Sequence, residues 1–281
     1  MLLAARNILK AWLLVVALTG AFALVGWLLG GVQGLSIFVF CALLVAAGAY
    51  WSFDRVVLGM LGARELPLGE APLLHSSTER LAARAGIAKP RLYLIPDGLP
   101  IAASTGRGIR SSAVAVSTGC VAACTPAELE GVLAHEIAHV RLHDVQVQTA
   151  AAVAAAVTLE ASRIGGWLQR ALLVVFGPVA AACVHLLVSP KREFAADRLA
   201  ATLCDSPHGL ADALLRLEQA AELVEFKGSP STEPLFTINP FAAEWPARLF
   251  DTHPPVADRV RRLRTLDPTW HDPVHPDEAA A

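Results

Sequence analysis

His135-Glu136-Ile137-Ala138-His139 is the stretch of this chain best equipped for chemistry. On a helix, residues four apart share one face about one turn apart, so two imidazoles at that spacing can grip one divalent cation. Glu136, between them, is placed to take a proton from water activated at that cation. Hydrolytic zinc sites use three protein ligands and keep one position open. The third ligand must come from elsewhere, as a carboxylate or a His. Glu193 is the best candidate, 54 residues past His139 and just after an apolar run, with Asp197 four residues on along the same helix face. There Glu193 binds metal while Asp197 orients a ligand imidazole. The competing reading of Glu193 is a surface carboxylate favoured by the dipole at a helix start.

Other residues are weighed against that pair. His143 has drifted ~80° round the helix from His135 and reads as a non-ligand. Asp144 can pair with a neighbouring Arg or steady the site. His253, before Pro254-Pro255, is either an oxyanion donor or a hydrogen-bonded turn residue. Arg259 can hold a protein carboxylate or the substrate backbone.

These residues first need a helix that starts at Pro126 and carries His135 to His139. Thr125-Pro126 supplies an N-cap and a proline at the first helical position, and Glu128 completes a capping box. Leu129, Val132 and Leu133 form its apolar face. Upstream, 71–85 reads as a helix closed by Gly86, and 91–95 and 112–117 as strands. Residues 100–112, rich in Gly, Ser and Arg, read as a loop, and Thr118-Gly119 as a turn. Downstream, 193–203, 210–224 and 254–266 read as helices, 227–246 as a proline-rich loop, and the tail from 267 as disordered.

Composition places these elements beside a bilayer. The 281 residues are 54% hydrophobic and 17% charged, and mean hydropathy is +0.50, too apolar for an ordinary soluble domain. Net charge is −2 with no basic field, which argues against nucleic acid as a partner. Residues 11–30 and 35–53 read as two spans joined by a charge-free turn, forming a transmembrane hairpin over 1–53. A cleaved signal peptide is the competing reading, but the run is too long and no cleavage site follows. Arg6 and Lys10 precede the pair and Arg55 and Arg64 follow it, placing the tip outside and the remainder in the cytoplasm. A second, shallower hairpin is expected at about 145–189, with the metal helix able to run on into the membrane surface; Lys191 and Arg192 after it again mark a cytoplasmic side. The five Cys (41, 120, 124, 183 and 204) are scattered and read as reduced thiols, as suits a cytoplasmic domain.

Gly131-Val-Leu-Ala-His-Glu-Ile-Ala-His139, with Arg192-Glu193-Phe-Ala-Ala-Asp197 after it, resembles the HtpX-type membrane zinc metalloproteases. These are gluzincins, related to the prenyl-protein (CAAX) proteases. Ser112-Ala-Val-Ala-Val-Ser-Thr-Gly119 and Thr252-His-Pro-Pro255 with Arg259 match in the same order, so the likeness covers nearly the whole chain. It implies Glu193 as third ligand and Glu136 as base, and it favours a functional His253. One departure stands out: Pro100-Ile-Ala-Ala-Ser-Thr-Gly106 lacks the family's Asn and Phe in a loop that borders the substrate groove in relatives.

The expected architecture is mainly α with a small β-sheet: the hairpin, then a gluzincin-type metalloprotease domain over 54–266 with one Zn²⁺. The expected activity is endoproteolysis of misfolded or membrane proteins at the cytoplasmic face of a bacterial inner membrane. The polypeptide substrate lies extended along Ala113, Val114, Ala115 and Val116 by backbone pairing. A prenyl-protein protease and a non-catalytic membrane scaffold with structural zinc are the alternatives. The chain is short for the first, and an intact Glu136 argues against the second.

Overall fold

The computed structural model describes residues 2–149, 190–223, 236–237, 253–267 and 269. The expected second hairpin beyond residue 149, nearly all of the 227–246 loop and the tail from 270 lie outside the described residues.

Helix α1 (Leu2–Met60) breaks at Gly30 and Gly31, inside the expected turn. Gly31 has φ 56° and ψ −140°, a backbone conformation that needs glycine. The chain then folds back on itself: a Cβ on Gly34 would stand 2.1 Å from the Gly26 carbonyl oxygen. Among the described residues one stretch, Gly26–Leu44, is long and apolar enough to cross a membrane by length and composition, and it is not buried in the protein, but it contains the Gly30–Gly31 break.

Strands β1 (Arg64–Glu65), β2 (Arg91–Ile95), β3 (Ala102–Gly108) and β4 (Ser111–Ser117) form one sheet in the order β1-β2-β4-β3. β2 and β4 are parallel and the other pairs antiparallel. β4 alternates between two cores, as a strand of period two must. Val114 and Val116 join Val132, Leu133 and Ile137 on one face. Ala113 and Ala115 join Val57, Leu58 and Leu61, from the end of α1 and just beyond it, on the other. The sheet is therefore sandwiched between α1 and the helical layer.

Two local expectations are corrected. Residues 100–112 are not all loop: β3 runs antiparallel to β4, with an irregularity at Gly106/Gly108. Its small residues bury beside the metal helix, and that packing overrides their weak strand preference. Thr118-Gly119 is no simple turn but opens a short helix, α2′s successor in the chain. With α2 at Pro72–Ala85, this α3 spans Thr118–Ala123 and is capped by Ser117, whose hydroxyl accepts from the Cys120 N–H.

The helical layer holds α4 (Pro126–Arg141), α5 (Pro190–Leu203), α6 (His208–Leu223) and α7 (Val256–Arg264). The expected capping box is present: Thr125 Oγ1 accepts from the Glu128 N–H at 3.3 Å, and Glu128 Oε2 from the Thr125 N–H at 2.7 Å. Arg216 of α6 clamps the same carboxylate at 2.9–3.2 Å. α4 is not continuous with the segment that follows. It stops at Arg141, His143 turns the chain with φ 61°, and residues 144–149 begin a new helical stretch.

Candidate metal centre

α4 carries His135, Glu136 and His139 at the bottom of the core, where α5 lies across it. On α5, Glu193, Ala196, Asp197 and Ala200 recur at helical spacing and are all buried. The two alanines let the helices approach, and the two carboxylates between them meet the histidines. α4 is held at its other end by Gly131. A Cβ there would lie 2.5 Å from the Leu210 backbone nitrogen, so α6 can sit against α4 only at a glycine.

The structure brings His135, His139 and Glu193 together, each offering a ligand atom within 4.8 Å of the others. The two Nε2 atoms face each other at 3.1 Å. Glu193 Oε2 is 3.4 Å from His135 Nε2, and Oε1 is 3.5 Å from His139 Nε2. A tetrahedral cation with bonds of ~2.05 Å separates its ligand atoms by ~3.3 Å, so these spacings suit one small divalent ion. Both Glu193 oxygens are buried without a hydrogen bond. Such a carboxylate is costly unless a cation compensates it, and the donor set therefore fits a metal.

Each imidazole is fixed from behind by a carboxylate and a guanidinium. His135 Nδ1 stands 3.0 Å from Asp197 Oδ1, and Asp197 accepts two hydrogen bonds from Arg259, at 2.9 and 2.7 Å. His139 Nδ1 stands 3.1 Å from Asp144 Oδ2, and Asp144 Oδ1 accepts from Arg192 Nε at 2.8 Å. With a proton on each Nδ1, both Nε2 lone pairs are free to coordinate. The His143 turn is what returns Asp144 beneath His139.

The electrostatics favour positive charge at this junction, carried by a proton on His139 where no cation displaces it. Burial alone would lower the His139 pKa, but the Glu193 and Asp144 carboxylates push it to about 10. Burial would raise Glu193, yet His139 and His253 hold it well below the carboxylate range. Asp197 likewise resists burial and sits at about 2, chiefly through Arg259.

Glu136 is buried beside the ligands. Its Oε1 accepts from the Thr237 hydroxyl at 2.8 Å, while Oε2 has no hydrogen-bond partner. His253 also reaches the centre, its Nδ1 3.5 Å from Glu193 Oε2. His143 is not among the converging ligand atoms.

Three sequence readings change. Arg259 is fully buried and holds a protein carboxylate, donating to Asp197 and to the Thr237 carbonyl, with Nη1 3.6 Å from Glu193 Oε2. Arg192, read as a membrane-flanking charge, is buried in the centre against Asp144. Ala113, Val114, Ala115 and Val116 cannot pair with an extended substrate, because β4 is an interior strand with β2 on one side and β3 on the other. The outer strands are β1 and β3; on β3, Ala103 bridges Phe236 and the Ala102 carbonyl accepts from the Thr237 N–H at 3.3 Å. Arg192 and Thr237 were missed, since no local pattern marks a contact made across 48 or 101 residues.

Residues 69–267 match the model of peptidase family M48. A protease HtpX homologue of Pelotomaculum thermopropionicum is 39% identical, aligned over 92% of this chain and 99% of its own. Another from Pyrococcus furiosus is 37% identical over 92% of this chain and 95% of its own. The S. mikatae Ste24p crystal structure is similar with a TM-score of 0.48 at 20% identity, covering 94% of this chain, which spans 66% of that protein. Since the family match runs through both helices that meet at the metal centre, the chain belongs to peptidase family M48.

Proposed function

We propose that this chain is a membrane-anchored zinc endopeptidase that cuts unfolded or membrane polypeptides at the inner face of the cytoplasmic membrane. The observation that carries the reading is the convergence of His135, His139 and Glu193 beside a buried carboxylate, Glu136, with one oxygen unengaged. Two neutral imidazoles and a carboxylate in a near-tetrahedral array suit zinc. When bound, zinc supplies a Lewis acid that polarises a peptide carbonyl and lowers the pKa of water toward neutrality.

The protein's own residues do the remainder. Glu136 Oε2 takes the proton of the attacking water and returns it to the leaving nitrogen. The Thr237 hydroxyl on Oε1 holds the carboxylate in place and leaves Oε2 for that task. Asp197 and Asp144 keep the two imidazoles in the tautomer that coordinates. His253 donates to the carbonyl oxygen as it gains charge. An extended substrate pairs with the outer edge of β3 beyond Ala103, past the contacts that Phe236 and Thr237 make there, so Thr237 stays on Glu136. Backbone pairing selects for extended, unfolded chain more than for side chains.

The membrane reading is supported by apolar side chains left exposed on both sides of the Gly30–Gly31 break, Leu24, Leu28, Phe40 and Leu44 among them, and by cations that flank the hairpin but are absent from its turn. Changing Glu136 to Gln tests the mechanism. Zinc content should stay at one per chain while casein cleavage disappears; undiminished cleavage by a zinc-loaded variant would refute it.

A further inference from the structure

Where α1 meets the sheet, an open pocket of about 520 Å³ is lined by Trp51, the β3–β4 turn from Arg107 to Ser111, and His143. It lies apart from the metal ligands. Among the described residues its lining contains two guanidinium groups, an imidazole and a hydroxyl, and no carboxylate. The Arg107 guanidinium lies over the Trp51 ring, 5.1 Å from its centroid, and donates to Ser111 Oγ at 3.3 Å. Its backbone carbonyl accepts from Gln146, which ties the turn to residues 144–149. His143 Nδ1 is buried there with no hydrogen-bond partner. Trp51 is 65% exposed, and Arg110 is exposed as well.

The helix leading to this pocket carries a stripe. Phe40, Leu44, Gly48, Trp51 and Arg55 fall at spacings of four, four, three and four, so they share one face of α1. Phe40 and Leu44 are exposed apolar residues, Gly48 leaves open space, and Arg55 is exposed. The stripe therefore passes from apolar surface through an aromatic ring to cations. A molecule that matches it has a long apolar tail and an anionic head.

We infer that this pocket binds the phosphate headgroup of an anionic phospholipid, with an acyl chain along Phe40 and Leu44. Arg107 and Arg110 hold the phosphate, since guanidinium N–H pairs match its oxygens. Trp51 sits at headgroup depth, as interfacial tryptophans do. A zwitterionic headgroup fits less well, because no carboxylate among the described lining residues receives its ammonium. Bound there, the lipid would seat the β3–β4 hairpin, and with it the substrate edge, against the membrane surface. The inference rests on the membrane reading above, and its test does not use proteolysis.

Full-length protein in neutral detergent would be titrated with phosphatidylglycerol, phosphatidylcholine and glycerol 3-phosphate, with bound lipid counted by native mass spectrometry. The wild type should prefer phosphatidylglycerol over phosphatidylcholine by about thirty-fold, from roughly five-fold for each guanidinium. Arg107→Gln with Arg110→Gln should abolish the preference, and the exposed Arg110→Gln alone should weaken it about five-fold. Arg80→Gln, whose partner is Glu130 elsewhere, should leave it intact. An unchanged preference in variants of wild-type melting temperature would overturn the inference. So would competition by glycerol 3-phosphate as strong as that of the lipid, which would make the ligand a soluble phosphate. The same titration on Glu136→Gln separates the two readings, because loss of the peptidase proposal leaves lipid binding untouched. Release of the protein from membranes by alkaline carbonate would instead remove the membrane reading itself.

Discussion

Asp144→Asn probes the support of the metal centre without touching a ligand. Asp144 uses one carboxylate oxygen for His139 Nδ1 at 3.1 Å and the other for Arg192 Nε at 2.8 Å. Asparagine keeps the shape but turns one acceptor into an NH₂ donor, so one of those two N–H groups faces another donor. If the His139 contact fails, the ring is free to rotate, and loss of such a supporting contact typically costs about 10–100-fold in metal affinity. That is ~1.4–2.7 kcal/mol. If the Arg192 contact fails, a buried charge loses a hydrogen bond worth about 1.5–3 kcal/mol, and the apoprotein is destabilised instead. The two cases separate experimentally. Zinc affinity is read by competition with a chromophoric chelator, and stability by urea unfolding with and without metal. Because zinc stabilises the folded state in proportion to the logarithm of its affinity, the metal-dependent gain should shrink by the same ~1.4–2.7 kcal/mol. A folded variant with wild-type zinc affinity and wild-type stability would refute the carboxylate's role.

Three further outcomes follow from the same geometry. Gly131→Ala puts a Cβ 2.5 Å from the Leu210 nitrogen, so α6 must shift off α4 at a cost of about 1–3 kcal/mol, read as a lowered urea midpoint. Thr125→Ala removes the α4 N-cap and should cost about 1 kcal/mol by the same measurement. Burial would raise the Glu128 pKa, but Arg216 and the Thr125 N–H hold it below its ordinary value. Its contribution is therefore complete above an unfolded pKa of about 4.3 and is lost as pH falls through the lower folded value. An acid titration of stability should show that loss in wild type and a smaller one in Arg216→Gln; equal losses would rule out the Arg216 clamp.

How much of this was legible depended on sequence distance. The capping box of α4 could be read because Thr125, Pro126 and Glu128 define it locally. The meeting of His135, His139 and Glu193 was anticipated because helical spacing fixes the first two, while Glu193 was singled out by the resemblance of Arg192–Asp197 to the HtpX-type motif, its spacing to Asp197 alone leaving a surface carboxylate open. β3 was hidden by its composition: Ser104, Thr105, Gly106 and Gly108 look like loop until β4 pairs with them. The error over the substrate strand had another cause. Alternation in Ser111–Ser117 announces a strand, but whether that strand lies inside a sheet or at its edge is set by topology. Arg192 looked like a membrane-flanking charge, and only the turn at His143 shows why it is buried against Asp144.

The most direct test is zinc K-edge X-ray absorption on the purified, metal-replete protein. The account predicts about one zinc per chain in a shell of nitrogen and oxygen at ~2.0–2.1 Å, with the multiple scattering of two imidazoles, all lost together in Glu193→Ala and His139→Ala. A sulfur shell at ~2.3 Å, as the neighbouring Cys120 and Cys124 thiols would produce, or an unaltered spectrum in those variants, would contradict it.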